Sequence, residues 1–334
     1  MRMKNILSHP GRTLPRLPVL SLVLLCLLVS APLTAAAELA RFFRMGSGEL
    51  HLVNHRNGRE ARVRLLETDG SIREAALTEV DRVFAYPTAE KGEHISPRLL
   101  FLLSYFADRV APGRTIHIES AYRSPEYNDN LRKKGGNAAR TSTHLDGLAL
   151  DFWIEGVDGK ELWELVRAEN CAGVGHYGGR TIHLDTGRPR FWEAATSGTR
   201  APEPDENRHI TLATAYDRYR PGETVRLSLS SVSTFGFGVV PVVQFVAEHE
   251  ADGPGRPARL DGAAAGGCRL LPDRRSTRFL DVALPADLPP GRYRARLALC
   301  ERPFARMPEA VLSNPIELVD RAVASQPQPG GSRP

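Results

Sequence analysis

The chain has 334 residues and lacks several features that would assign it a class directly. It contains no dense run of lysine and arginine, so its net charge of +5 does not point to nucleic acid as a partner. This mild basic excess suits an anionic polymer or a membrane face better. No internal repeat is present, and an apolar share of 42% with a charged share of 25% excludes a largely disordered chain.

Long apolar runs are also missing. The longest, over residues 17–33, is shorter than the roughly 20 residues that a spanning helix needs. Four basic residues precede it without a twin-arginine pair, and Ala35-Ala36-Ala37 follows as a small-residue cleavage site. The pattern predicts a Sec-type signal peptide over residues 1–37, and hence an exported protein of the periplasm or cell envelope. An uncleaved anchor is the alternative.

Cysteine is scarce, with four residues in the whole chain. Cys268 and Cys300 both lie in the C-terminal region, where an exported chain is able to join them in a disulfide. The sequence leaves open whether they pair. Cys171 has no motif around it and is predicted to be a small buried residue rather than a nucleophile.

The length predicts two domains. Up to about residue 193, helical and strand patterns alternate and predict an α+β domain with an antiparallel sheet. Residues 194–207 are rich in Ala, Thr, Ser, Gly and Pro and are predicted to be a linker. Residues 208–320 are predicted to form an all-β domain, and residues 321–334 a disordered tail.

Turn and cap residues place the elements of the first domain. Asn57-Gly58 and Gly178-Gly179 are predicted hairpin turns. Ser96 and Asp158 are predicted to cap helices, and a third helix follows Pro125. Strands are predicted at 50–53, 61–66, 115–119, 147–154, 173–177 and 181–185.

Helical patterns vanish beyond the predicted linker. Short apolar stretches separated by Pro and Gly predict an immunoglobulin-like β-sandwich. Residues 253–267 are predicted to be a long flexible loop. Strands are predicted at 210–215, 224–230, 239–247, 276–282 and 293–299. This region is predicted to contact a partner, and the sequence leaves open whether that partner is the cell wall or another protein.

The chain is organised around residues 142–151, Ser-Thr-His-Leu-Asp-Gly-Leu-Ala-Leu-Asp. This stretch sets His144 and Asp151 seven positions apart, and His183 follows on a strand able to neighbour that of Asp151. His, Asp and His with one position left for water is the donor set of a catalytic zinc ion. The alternative is a structural carboxylate with two satisfied polar histidines, and spacing alone does not decide between them.

The pattern Ser-x-His-x-x-Gly-x-Ala-x-Asp with a later strand histidine resembles the zinc D-alanyl-D-alanine carboxypeptidase and hedgehog-like superfamily. Over about residues 47–193 the chain resembles the murein endopeptidase branch of this superfamily. Four further stretches carry this resemblance: Ser-Ala-Tyr-Arg-Ser-Pro at 120–125, Gly-Val-Gly-His-Tyr at 173–177, Ile-His-Leu-Asp-Thr-Gly at 182–187 and Arg-Phe-Trp at 190–192. The resemblance implies a hedgehog/DD-peptidase-like fold with Zn²⁺ on His144, Asp151 and His183. It also implies cleavage of peptidoglycan stem peptides at bonds involving D-amino acids, as a crosslink endopeptidase or a carboxypeptidase.

The resemblance also implies roles for three further residues. Arg123 is predicted to stabilise an oxyanion or to hold a substrate carboxylate through its planar fork, with a surface ion pair as the alternative. Ser142 and Tyr122 are predicted to bind substrate. For Ser142, a local helix cap is the alternative.

The general base is left open. Relatives with a Glu-x-x-His motif place it three residues before the last ligand, where this chain has Arg180, which cannot accept a proton. Asp185 is the predicted base, although it is also suited to orienting a metal ligand. His176 is a second candidate, on the expectation that it faces the same cleft.

The missing glutamate motivates a different function, a non-catalytic cell-wall-binding module that keeps the fold and the metal site. An adhesin-like protein built around the β region is a weaker alternative. Deletion of residues 205–320 separates that alternative from an enzyme, and the expectation is that activity survives the deletion while localisation or partner binding suffers.

Overall fold

The computed structural model describes residues 38–87, 93–136, 138–196, 205–250, 252–263 and 266–319. The predicted signal peptide and the predicted tail lie outside these ranges, as does the middle of the predicted linker. Among the described residues, no helix combines the length and the apolar content that a membrane crossing requires.

The N-terminal region is α+β, as predicted, and is built on a seven-stranded sheet in the order β2-β1-β3-β4-β6-β5-β7. Its elements are β1 (Glu49–Asn54), β2 (Arg59–Arg64), α1 (Glu74–Phe84), α2 (Pro97–Val110), β3 (Thr115–Ser120), α3 (Pro125–Lys133), a 3-10 helix (Thr143–Asp146), β4 (Ala149–Ile154), α4 (Gly159–Glu169), β5 (Gly173–His176), β6 (Ile182–Asp185) and β7 (Arg190–Glu193), followed by a 3-10 turn (Ala194–Thr196).

The sheet is mixed, which corrects the prediction of an antiparallel one. The β1–β3 and β5–β7 pairs are parallel, and the other pairs are antiparallel. Strand β6 lies between β4 and β5, and β7 pairs with the other side of β5 as the edge strand of the sheet. The predicted caps are confirmed: Ser96 accepts from the backbone N–H of Leu99, and Asp158 from those of Lys160 and Glu161.

The two faces of the sheet have different partners. Alternate residues of β4 and β6, among them Leu150, Phe152, Ile182 and Leu184, are fully buried in the hydrophobic core with the helices. Each such side chain stabilises the fold by about 1.5–3 kcal/mol through burial. The intervening residues point to the opposite face, and this face carries Asp151 and the other polar residues of the centre described below.

The C-terminal region is all-β, with a three-stranded sheet in the order β14-β10-β8 and a larger sheet in the order β12-β11-β15-β17-β9, to which β13 and β16 add. Its strands are β8 (Thr211–Thr214), β9 (Arg218–Tyr219), β10 (Thr224–Ser230), β11 (Phe237–Ala247), β12 (Arg256–Arg259), β13 (Arg269–Leu271), β14 (Leu280–Ala283), β15 (Gly291–Leu299), β16 (Ala310–Leu312) and β17 (Ile316–Leu318). The immunoglobulin-like arrangement stays a prediction.

Two sequence predictions in this region need correction. The loop predicted over 253–267 contains β12, which pairs with β11 from Val242 to Phe245. The strand predicted from residue 276 begins only at Leu280, because a turn closes first. In this turn Ser276 bonds to Asp273, and the Thr277 hydroxyl donates to the carbonyl oxygen of Arg274.

Cys268 and Cys300 form a disulfide, with their Cα atoms 5.9 Å apart, and Cys171 is free and partly buried. The bridge closes a 32-residue separation, and loop-closure entropy for that length predicts a stabilisation of about 3–4 kcal/mol. We expect reductant to lower the free energy of unfolding of the C-terminal region by this amount in urea titrations. A Cys171→Ser variant should respond to reductant as the unmodified chain does, and identical midpoints with and without reductant would contradict the prediction.

Candidate metal centre

Three segments bring the predicted ligands together at the middle of the sheet. Asp151 on β4 lies directly opposite His183 on β6. His144 is delivered by the 3-10 helix that precedes β4, and this helix ends at Gly147 with φ 66°. Glycine is required there because the left-handed backbone disfavours other residues and because a Cβ atom would lie 2.5 Å from the Tyr86 ring.

The donor atoms of the three residues form a small triangle. The distance from His144 Nε2 to His183 Nδ1 is 3.2 Å, and Asp151 Oδ1 lies 3.3 Å from the first and 2.9 Å from the second. A tetrahedral zinc ion with bonds of about 2.0–2.1 Å keeps its ligand atoms about 3.3 Å apart. The donor set therefore fits a zinc ion, and the three residues are one group rather than unrelated polar side chains.

The other ring nitrogen of each histidine is held by an acceptor. His144 Nδ1 donates to the carbonyl oxygen of Ala121 at 2.6 Å, and His183 Nε2 donates to Asp185 Oδ2 at 2.8 Å. In a neutral imidazole these bonds hold the single proton away from the centre, and His144 Nε2 and His183 Nδ1 then face Asp151 as the atoms that could bind a metal ion. Metal-binding histidines in proteins are fixed in the same way.

Burial and charge set the protonation of the centre. Burial lowers the pKa of the His144 imidazole and so favours its neutral, metal-binding form. Burial also opposes protonation of His183, but hydrogen bonds to Asp151 and Asp185 outweigh it and raise the pKa of that imidazole. For Asp151, burial works to raise the pKa, and the neighbouring histidines outweigh it and hold the pKa well below its usual range. A cation at this centre would thus meet an ionised carboxylate.

Asp185 has no exposed surface and uses both carboxylate oxygens within the protein. Its Oδ1 accepts from Gly187 N at 2.9 Å and Arg190 Nη1 at 3.0 Å, and its Oδ2 accepts from His183 and lies 2.8 Å from Arg190 Nη2. Burial would raise the pKa of this carboxyl, but His183 and Arg190 lower it to about 2. This geometry supports the alternative in which Asp185 orients His183.

His176 is not in the cleft, and this corrects the expectation stated above. It pairs with Ile182, whose side chain is in the core, and its ring lies 6.4 Å from that of Trp163. Strand alternation explains the difference: the partner of His183 is Gly175, so the residues on the face of the metal centre are 175 and 177.

Tyr177 is the residue that the sequence analysis missed. Its hydroxyl donates to Asp151 Oδ1 at 3.0 Å, and burial followed by the Asp151 charge raises the pKa of its phenol. The hydroxyl therefore stays protonated and acts as a donor at neutral pH. The register of β5 would have identified it, since Tyr177 is two residues beyond Gly175.

Arg123 is buried beside the centre. Its Nε donates to Ser120 Oγ at 2.9 Å and its Nη2 to Asp151 Oδ2 at 2.6 Å, so it is not a surface ion pair. Ser142 also lines the cleft and accepts no capping hydrogen bond from the 3-10 helix that it precedes. The Tyr122 ring instead packs edge-on against Tyr86, with ring centroids 5.2 Å apart.

The centre lies in a cleft with a volume of about 450 Å³. Apart from the Asp151 carboxylate of the centre itself, the described residues that line the cleft include no acidic side chain but three arginines, Arg123, Arg188 and Arg190. The Trp192 ring forms part of a wall, 4.9 Å from the His183 ring and packed against Gly175, where a Cβ atom would lie 2.3 Å from it. The described residues that line it are 123, 138, 139, 141–144, 177, 183, 187, 188, 190–192, 209, 211 and 231.

Residues 44–192 match the protein family described as peptidoglycan L,D-endopeptidase MepK. This segment of the chain is therefore similar to that peptidase family. The MepK protein of Escherichia coli (strain K12) is 29% identical over 144 residues, which cover 43% of this chain and 79% of the relative. A probable MepK of Haemophilus influenzae is 34% identical over 79 residues, or 23% of this chain and 42% of the relative.

The predicted resemblance to the murein endopeptidase branch is thereby confirmed. The matched MepK segment contains all three candidate ligands together with Arg123, Tyr177 and the Asp185–Arg190 pair. The β region lies outside it, although His209, Thr211 and Ser231 of that region line the same cleft.

Proposed function

We propose that this protein is an exported zinc peptidase that cleaves peptidoglycan stem peptides at a bond involving a D-amino acid, acting as an L,D-endopeptidase. The convergence of His144 Nε2, Asp151 Oδ1 and His183 Nδ1 at the cleft carries the proposal. The similar MepK proteins are L,D-endopeptidases by name, which favours the endopeptidase over the carboxypeptidase. Export depends on the signal peptide predicted over residues 1–37.

In this mechanism, His144, Asp151 and His183 would hold the zinc ion. A bound zinc ion supplies a Lewis acid for the scissile carbonyl and lowers the pKa of water to about 7. Asp185 fixes the orientation of His183 through their 2.8 Å hydrogen bond, and the Tyr177 hydroxyl remains a neutral donor in the cleft. Asp185 and Tyr177 thus contact the candidate ligands His183 and Asp151 in the protein without substrate.

Arg123 combines a structural and a substrate role in this proposal. Its Nε and Nη2 hold Ser120 and Asp151, while Nη1 has no hydrogen-bond partner among the described residues. Because Arg123 lines the cleft, Nη1 is available to a carbonyl or carboxylate oxygen of the substrate. Ser142 lines the same cleft and provides a further hydroxyl for substrate.

Arg188 gives the cleft a preference for anionic peptides. Its guanidinium is exposed and forms no ion pair within the described ranges, and the Asp151 carboxylate of the centre is already paired with Arg123. We expect Arg188→Ala to raise the KM for a muropeptide about fivefold with little change in kcat, as for one exposed charge contact of about 1 kcal/mol. An Arg62→Ala change on exposed strand β2 is the matched control. A fall in kcat at unchanged KM would contradict this role.

The test of the proposed function is mass spectrometry of purified muropeptides before and after incubation with zinc-loaded protein. We expect hydrolysis products that disappear when the metal is removed and return when zinc is restored. Unchanged muropeptides from protein with one bound zinc ion would overturn the proposal.

A non-catalytic wall-binding module is the second candidate, and one observation favours it. Arg180 occupies the position where Glu-x-x-His relatives have a base, and its guanidinium carbon lies 3.6 Å from the ring centroid of Trp153. Sedimentation with intact sacculi without any released product would support this candidate.

A further inference from the structure

The 3-10 helix that carries His144 is a single short turn of four residues. Leu145 N donates to Ser142 O at 3.0 Å, Gly147 N to His144 O at 3.4 Å and Leu148 N to Thr143 O at 3.1 Å. Short 3-10 segments have poor hydrogen-bond geometry and rely on their surroundings. The position of a candidate metal ligand therefore depends on what packs against this turn.

The β region contacts this turn at Asp146, two residues after His144. The Asp146 side chain is 8% exposed and pairs through Oδ1 with the Arg274 guanidinium. Its Oδ2 accepts from the backbone N–H of Ser231 at 3.1 Å. Ser231 has a φ of 58°, a left-handed conformation that non-glycine residues rarely adopt and that persists only where the surroundings enforce it.

Arg278 makes a second contact between the β region and the turn. Its Nη2 donates to the carbonyl oxygen of Leu145 at 3.2 Å, and its Nη1 donates to Tyr86 at 2.8 Å and to Glu93 at 2.6 Å. The Tyr86 ring is the surface against which Gly147 packs. Arg278 therefore holds both the turn and the ring that supports it.

The β region is also anchored at a distance from this turn. Arg98 of α2 pairs with Asp217 and donates to the carbonyl oxygen of Thr214 at 2.7 Å. Arg41 pairs with Glu223 at 2.7 Å. These contacts fix the β region on the peptidase domain independently of Asp146, so the residues that reach the turn come from a fixed support.

We propose that the C-terminal β region clamps the metal-binding turn, with Arg274, Arg278 and Ser231 as positioning residues that hold His144 in place through Asp146 and Leu145. The clamp's effect on turnover rests on the proposed function, whereas its effect on the turn does not. The proposal reverses the expectation that activity survives deletion of residues 205–320, because deletion removes all three positioning residues.

The experiment uses the full chain with Arg274→Ala, the conservative Arg274→Lys, and Arg256→Ala as control. Arg256 forms an exposed ion pair with Asp287 within the β region and contacts no part of the turn. Amide hydrogen exchange of residues 143–148, zinc loss to a chelator and kcat/KM are measured for each. We expect Arg274→Ala to exchange at least tenfold faster in this peptide and to lose zinc about tenfold faster, with partial rescue by lysine and no change in the control.

The clamp would be overturned if Arg274→Ala exchanged its amide hydrogens and lost zinc at the same rates as the unmodified chain. If that variant does not fold, Asp146→Asn decides in its place, because it keeps the side-chain shape and removes the charge, and unchanged exchange would again overturn the proposal. Hydrogen exchange needs no turnover. If Arg274→Ala exchanges faster but the unmodified chain cleaves no muropeptide, the peptidase function is refuted and the clamp stands.

Discussion

Alanine in place of His183 is expected to remove stoichiometric zinc and to lower muropeptide hydrolysis at least about 1,000-fold. The substitution deletes one of three donors and also the partner of two buried carboxylates, Asp151 and Asp185. Leaving a buried charge without its partner costs about 3–5 kcal/mol, so we also expect a lower thermal midpoint. Metal analysis, thermal unfolding and product formation are measured on the same preparation.

His176→Ala is the matched control, since the same residue type is removed from the opposite face of the sheet. It should keep its zinc and its activity. Folded His183→Ala protein that still binds one zinc ion and cleaves muropeptides would show that the donor set is wrong.

The second large effect is expected from Asp185→Asn, and it separates the two roles that the sequence leaves open. A carboxylate with a pKa of about 2 and no exposed surface is a weak proton acceptor at neutral pH, but it is well suited to holding the Nε2 proton of His183. We therefore expect zinc affinity to fall about 10- to 100-fold, as for other residues that hydrogen-bond a metal ligand.

Zinc titration of the apoprotein, followed by kcat at saturating zinc, distinguishes the outcomes. An orienting residue weakens zinc binding, and saturating zinc then restores much of kcat. Loss of kcat at unchanged zinc affinity would instead identify Asp185 as the general base and refute the orienting role. Asp158→Asn is the control, because it also removes one carboxylate but at the N-cap of α4, where asparagine is still able to cap the helix.

Local rules account for much of the fold and for the convergence of the ligands. Ser96 and Asp158 satisfy the first N–H groups of their helices, which is why both starts were predicted. Helix α1 was missed because Arg73, at its N-cap position, makes no side-chain cap. The edge strand β7 was missed because its pairing is not set by its own sequence. It pairs with β5 because the other side of β5 is already occupied by β6.

The cleft was predicted less completely because register and interdomain contacts leave no local pattern. One position along β5 decides that Tyr177, and not His176, reaches Asp151. Asp146 and Arg274 are 128 positions apart, and although Asp146 lies within the motif stretch 142–151, nothing in that motif points to Arg274. Such a pair is determined by how the two regions pack, which spacing within either region does not encode.

One side of the cleft belongs to residues 209, 211 and 231, outside the segment shared with the peptidase family. Under the proposed function, variation in that β region would change which peptides fit, while the candidate metal ligands and their supporting residues remain constant. Homologues that differ in their appended region would then divide the same chemistry among different wall structures, and exchanging that region between chains is a route to altered selectivity.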